Sequence, residues 1–171
     1  MRRARLFRTG VAAWCALVAL VAAALYRPHV PTATATASLA SSDFFGPARA
    51  LDDDPATAWL LPDHTAGTLR IDVAPPRDVH ALTLAQPAPA VPVRATAAAH
   101  VRLLRGTRVL AEQRLRLPAR APRDGGVGVD GTGFGAAAIT LPIAGRGVTR
   151  IEIEVESSHG AGGGLAEVEI R

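Results

Sequence analysis

The clearest pattern in the chain lies near its C-terminus, where Ile151, Ile153 and Val155 alternate with Glu152, Glu154 and Glu156. A period of two puts successive side chains on opposite faces of a β-strand, one for a core and one for water. "TLRIDVA" (68–74) repeats the pattern, with Leu69, Ile71 and Val73 set against Arg70 and Asp72. "VHALTLAQ" (79–86), "AHVRLLR" (99–105), "TRVLAEQRLRL" (107–117), "AAAITLPI" (136–143) and "LAEVEI" (165–170) are further apolar runs of strand length. Turn residues separate them: "PPRD" (75–78), Gly106, the long "PARAPRDGGVGVDGTGFG" (118–135), and "SSHG" (157–160), which predicts the turn between the last two strands. After the N-terminal segment no run sustains a helical period. About eight short strands joined by Pro- and Gly-rich turns predict an all-β antiparallel sandwich.

The N-terminus follows a different rule. Gly10 to Tyr26, "GVAAWCALVALVAAALY", is uncharged and apolar, and the basic segment 1–9 before it carries Arg2, Arg3, Arg5 and Arg8. This predicts one hydrophobic helix, a membrane anchor or a signal peptide. Its 17 residues meet the short limit of the roughly 17–25 that a bilayer helix needs. The uncleaved anchor is favoured because the apolar run continues through Leu25 and Tyr26; cleavage after Ala22-Ala23-Ala24 is the alternative and would give a secreted protein. The arginine excess keeps the N-terminus cytoplasmic, which makes this a single-pass protein with an extracytoplasmic C-terminal domain. Cys15 lies within the apolar run behind Trp14, a poor setting for a lipoprotein cysteine, and with no other cysteine the domain has no disulfide. Residues 27–37, rich in Pro, Thr and Ala, predict an extended linker. The domain then spans 38–171.

Composition refines this picture. Aromatic residues are only 4% of the chain, so a core must be built from Leu, Val, Ile and Ala. All 19 basic residues are arginine, which excludes lysine chemistries such as Schiff bases. Five of the 19 precede residue 28, leaving 14 arginines against 15 acidic residues. The domain is therefore close to neutral, and the high pI does not argue for nucleic acid as a partner.

Asp52, Asp53 and Asp54 run directly into Pro55, Thr57 and Trp59. Two readings stand on these residues alone. Asp54 can cap a short turn with Pro55 at its first position, which accounts for one aspartate of three. Alternatively, "DDDPAT" supplies carboxylate, carbonyl and hydroxyl oxygens, the kinds of ligand that calcium takes in sets of about six to eight.

The stretch "ASLASS…ARALDDDPATAWLLPDHTAGTLRIDVAPPRDVHALTL" resembles the opening of a discoidin domain, also called a coagulation-factor C-type domain. Such domains begin with an "ASS"-like strand, followed by an "A-x-D-G-D-x-x-T-x-W" turn and a strand like "x-I-D-L-G". "VTRIEIEVESSHGAGGGLAEVEIR" is similar to the family's last two strands, joined by a Gly-rich loop. The resemblance covers about residues 38–171, strongest at the two ends. It implies an eight-stranded jelly-roll sandwich of the galactose-binding-like type. It also implies a structural calcium held by Asp52, Asp54, Thr57 and Glu167, with Trp59 as the core tryptophan. Asp53 stands where the family has glycine; aspartate tolerates left-handed backbone angles better than most residues.

The other motifs carry less. "GVGVDG" (126–131) matches G-x-G-x-x-G but lacks a following helix, so it reads as a loop and not a dinucleotide site. Phe134 in that loop is a candidate aromatic for stacking on a sugar. Arginines crowd residues 94–124, and Arg114 and Arg116 share one strand face. They read as a solvated edge or as a site for an acidic polymer. No G-x-S-x-G, H-E-x-x-H or paired-cysteine motif is present, so no enzyme is expected. The expectation is a membrane-tethered, extracytoplasmic module that binds glycan or another envelope polymer. The alternative is an accessory subunit of a membrane assembly with no ligand of its own.

Overall fold

A computed structural model describes residues 33–54, 56–87, 94–117 and 138–171. The expected N-terminal helix (10–26) and Phe134 lie outside these residues, and no described helix is long and apolar enough to cross a membrane. The strands are β1 (Ala33–Ala37), β2 (Trp59–Leu60), β3 (Gly67–Val79), β4 (Leu82–Ala85), β5 (Arg94–Arg105), β6 (Arg108–Arg116), β7 (Ala138–Leu141), β8 (Gly145–Gly160), β9 (Gly164–Leu165) and β10 (Glu167–Ile170). They form a five-stranded sheet in the order β1-β3-β8-β5-β6, a three-stranded sheet β10-β4-β7 and a two-stranded sheet β2-β9. Every strand pair is antiparallel.

One core joins the sheets. Leu69, Ile71, Ile151, Ile153, Val101 and Leu103 of the five-stranded sheet pack in the same cluster as Leu82, Leu84, Leu141 and Val168 of the three-stranded one. The alternation in β3 and β8 is as read, and it makes the molecule a two-layered antiparallel β-sandwich. Trp59 is fully buried, and its indole N–H donates to the Leu39 carbonyl at 2.9 Å. Phe45 packs against a smaller cluster of Ala58, Leu60, Ala85 and Ala166.

The structure departs from the sequence reading in three places. Ala33–Ala37, placed in the linker 27–37, form β1 and pair with Val73 to Leu69 of β3. Small residues suffice there because β1 is an edge strand with one covered face. "PPRD" is no turn: β3 runs through it, with a register shift against β8 between Asp72 and Arg77 that accommodates the two prolines. "SSHG" also continues a strand, for β8 extends to Gly160 opposite Arg94 of β5. The chain reverses instead within "GAGGG", where Gly164 lies so close to the Trp59 carbonyl that a Cβ would collide with it.

Strand direction defines two ends. The loop end holds the reversal at 160–163, the start of β5 and the finish of β6. The hairpin end holds the β5–β6 turn at Gly106, the start of β8 and the finish of β10.

Candidate functional site

The aspartates form a tight turn at the loop end, between the short 3-10 turn Pro47–Ala50 and β2. Asp53 adopts φ 57°, the left-handed conformation expected where the resembled family places glycine. Thr57 Oγ1 lies 2.9 and 2.8 Å from the two carboxylate oxygens of Asp52, 3.1 Å from the Asp54 carbonyl and 3.4 Å from the Arg49 carbonyl. One hydroxyl proton cannot serve four oxygens. Asp54 contributes differently from expectation: its carboxylate accepts the Ala56 N–H at 2.9 Å and so caps the turn, and only its carbonyl faces Thr57. The capped-turn reading thus holds for the Asp54 carboxylate.

Glu167, distant in sequence, comes to this turn because β10 starts beside Ala85 of β4. Burial, then the charge of Asp53 and more weakly that of Asp52, push its carboxyl up to about 7, against the opposing pull of the Val168 and Asp53 backbone N–H groups. Its Oε2 is buried without a hydrogen-bond partner. Among the described residues no three His, Cys, Asp or Glu side chains gather closely enough to hold a metal by themselves. The oxygen set is mixed instead: carboxylates of Asp52 and Glu167, the Thr57 hydroxyl, and the carbonyls of Arg49 and Asp54. The Asp52 carboxylate also accepts the Asp54 N–H at 3.2 Å and pairs with Arg49 at 3.3 Å, so the oxygen left without a partner is Glu167 Oε2, and the mixed set around it fits the chemistry of a hard cation.

A second polar group at the loop end escaped the sequence reading. The Arg94 guanidinium donates to the Leu61 carbonyl at 2.9 Å and pairs with Asp63. Beside them His64 has φ 56° and its backbone N–H donates to the Ala161 carbonyl at 2.8 Å. Arg94 adjoins the other arginines of 94–124 in sequence but starts β5, while most of the others lie at the far end of that strand or on β6. The turn signature of "LPDHT" was the one signal for this site. Nearby, Phe44 is 67% exposed, with its ring edge to face with Phe45 at 5.0 Å and the Arg49 guanidinium 5.6 Å from its centroid.

Among the described residues, four of the six arginines of the stripe, Arg94, Arg102, Arg105 and Arg114, are engaged within the molecule. Arg114 donates to Glu156 at 2.8 Å, and Arg116 is exposed at the end of β6. Arg70 and Arg102 flank Glu152 at 3.4 and 3.0 Å. These two cations cover Glu152, which explains why a carboxylate on the outer face is only 9% exposed.

No family model matches the chain, and no curated protein matches it. Solved structures do. Chitosan-binding module 1 of a chitosanase/glucanase from Paenibacillus sp. IK-5 is 18% identical, with a TM-score of 0.57 over 82% of this chain and 95% of that one. The family 32 carbohydrate-binding module of NanJ from C. perfringens, solved in complex with galactose, is 14% identical, with a TM-score of 0.56 over 81% and 93%. An F5/8 type C domain from Bacteroides fragilis is 11% identical, with a TM-score of 0.60 over 81% and 89%. The described domain therefore has the fold of the F5/8 type C, or discoidin-like, domains, an antiparallel β-sandwich of the galactose-binding-like kind.

Proposed function

We propose that the domain is a non-catalytic glycan-binding module, with its sugar site at the loop end around Arg94, Asp63 and His64. One observation carries this reading: the fold likeness covers 82% and 81% of the chain, in neighbours named as chitosan-binding and solved with galactose. The local chemistry suits it. Arg94 supplies donors and Asp63 supplies acceptors, the pair of functions that sugar hydroxyls need. A structural calcium, held by Asp52, Thr57, Glu167 and the carbonyls of Arg49 and Asp54, would fix the neighbouring turn by neutralising its crowded oxygens. The segment 10–26 would tether the module to a membrane, with the domain on the extracytoplasmic side.

A glycan array probed with the full chain in mild detergent tests the proposal. A neutral or amino sugar should bind, and Arg94→Gln should weaken that binding at least about tenfold, the scale of a lost charged hydrogen bond. A folded chain that binds no sugar, or an Arg94→Gln variant that binds as well as the parent, would overturn it.

A further inference from the structure

The domain is neutral in sum, but its charge is sorted along the strands. At the loop end Asp43, Asp52, Asp53, Asp54, Asp63 and Glu167 outnumber Arg49, Arg94 and Arg116, six acids against three bases. At the hairpin end the described side chains reverse the sign: Arg77, Arg105, Arg108, Arg146 and Arg171 outnumber Asp78 and Glu169, five bases against two acids. Between the ends, cross-strand pairs such as Arg150–Asp72 and Arg102–Glu152 balance.

Two of the basic side chains are held locally, for Arg77 reaches the Ile170 carbonyl at 3.4 Å and Arg171 pairs with Glu169 at 2.7 Å. The other three meet on two adjoining turns. Gly106, at φ 59°, closes the β5–β6 hairpin and sets Arg105 opposite Arg108. Gly147, at φ 63°, shapes the start of β8 beside Arg146. Arg105 ties the turns together by donating to the Gly147 carbonyl at 3.2 Å and to the Arg146 carbonyl. The Asp78 carboxylate, which accepts the Gly147 N–H at 2.8 Å, is one negative charge against the three arginines. Among the described residues no carboxylate lies within ion-pair distance of Arg105, Arg108 or Arg146. Arg108 and Arg146 are exposed.

We propose that this end is a second binding surface, which takes an acidic polysaccharide through its carboxylate groups. The idea rests on the glycan-binding reading and adds a class of glycan to it. Guanidinium groups offer paired N–H donors that match a carboxylate, and several on adjoining turns can hold successive uronate units of one chain. The surface lacks what other polyanions use. Among the described residues the well-exposed Phe ring, Phe44, belongs to the opposite end, so no Phe, Tyr or Trp ring stands here to stack on a nucleobase, and the exposed ring at this end is the single His80 imidazole. Val109 is the large apolar side chain exposed beside Arg108, too little to enter a bilayer.

The test uses the full chain in mild detergent, with polygalacturonate as the acidic probe, uncharged dextran and the array sugar as neutral probes, and phosphatidylglycerol vesicles. Polygalacturonate should bind at low salt and weaken as salt screens the charges within about 10 Å at 0.1 M. Arg108→Gln combined with Arg146→Gln should weaken it at least about tenfold while leaving neutral-sugar binding unchanged, since both side chains are exposed and remote from Arg94. Loss of neutral-sugar binding in the parent would sink the module reading, whereas this proposal is read from the polygalacturonate arm. It is overturned if the double variant binds polygalacturonate as tightly as the parent, which would assign binding to the N-terminal arginines. It is equally overturned if the vesicles bind and polygalacturonate does not.

Discussion

Glu167 makes the aspartate turn sensitive to pH. In the unfolded chain its carboxyl titrates near 4.5, whereas in the folded domain it titrates near 7. The folded state therefore holds a proton that the unfolded state has released between these values. Its stabilising contribution is complete below pH 4.5 and is lost as pH rises toward 7. For a half-buried carboxyl this is worth on the order of 1–2 kcal/mol after solvent screening. In chelator, urea denaturation should show lower stability at pH 8 than at pH 5, and Glu167→Gln should remove that component. If calcium binds, adding it should restore stability at pH 8 by about 2.7 kcal/mol at a hundredfold excess over its dissociation constant. An unchanged denaturation curve would mean that no cation occupies the turn. The proximity of Asp52 and Thr57 was legible in the turn motif, whereas Glu167 was reached only through the family resemblance of the last strand, since nothing beside it in the chain marks it. The role of Asp54 was not, since the left-handed angle at Asp53 decides whether its carboxylate or its carbonyl faces Thr57.

Strands with strong contrast between their two faces could be read directly. In β3 and β8 the buried Leu69, Ile71, Ile151 and Ile153 occupy the positions that alternation assigned to a core. Low contrast hid the others: β1 is only alanine and threonine, and β2 and β9 are two residues each, too short to show a period. Where β4 ends, a side chain replaces a strand. Gln86, 1% exposed, accepts the Thr96 N–H at 3.0 Å and donates to the Thr96 carbonyl at 2.6 Å, the pairing that another backbone would have made. Periodicity cannot reveal such a clamp, because a polar residue in a strand ordinarily signals water. Gln86→Ala leaves two buried backbone groups unpaired, so a loss of about 2–6 kcal/mol is expected in equilibrium denaturation, at roughly 1–3 for each group. A loss under about 0.5 kcal/mol would show that water or a shift of the loop end replaces the clamp.

At the scale of the molecule, sequence alone gave near-neutrality, and only the strand directions revealed that the charges are sorted to opposite ends. The same directions have a mechanical consequence. β1 runs from the hairpin side toward the loop end, with Ala33 opposite Val73 and Ala37 opposite Leu69. A ligand gripped at the loop end and a pull on residue 33 therefore load the domain along its strands. Inter-strand hydrogen bonds lie perpendicular to that axis, so tension shears the five β1–β3 pairs together instead of peeling them one at a time. Pulling between residue 33 and a handle at the loop end, such as Asp63→Cys, should show a rupture force well above that from residue 33 with the handle at Asp72→Cys, which lies opposite Thr34, so that the β1–β3 segment is drawn apart sideways. Equal forces in the two geometries would mean that β1 carries no load. With a shear-loaded edge, the weakest-looking strand of the sheet becomes the one suited to resist a drag on whatever the module holds.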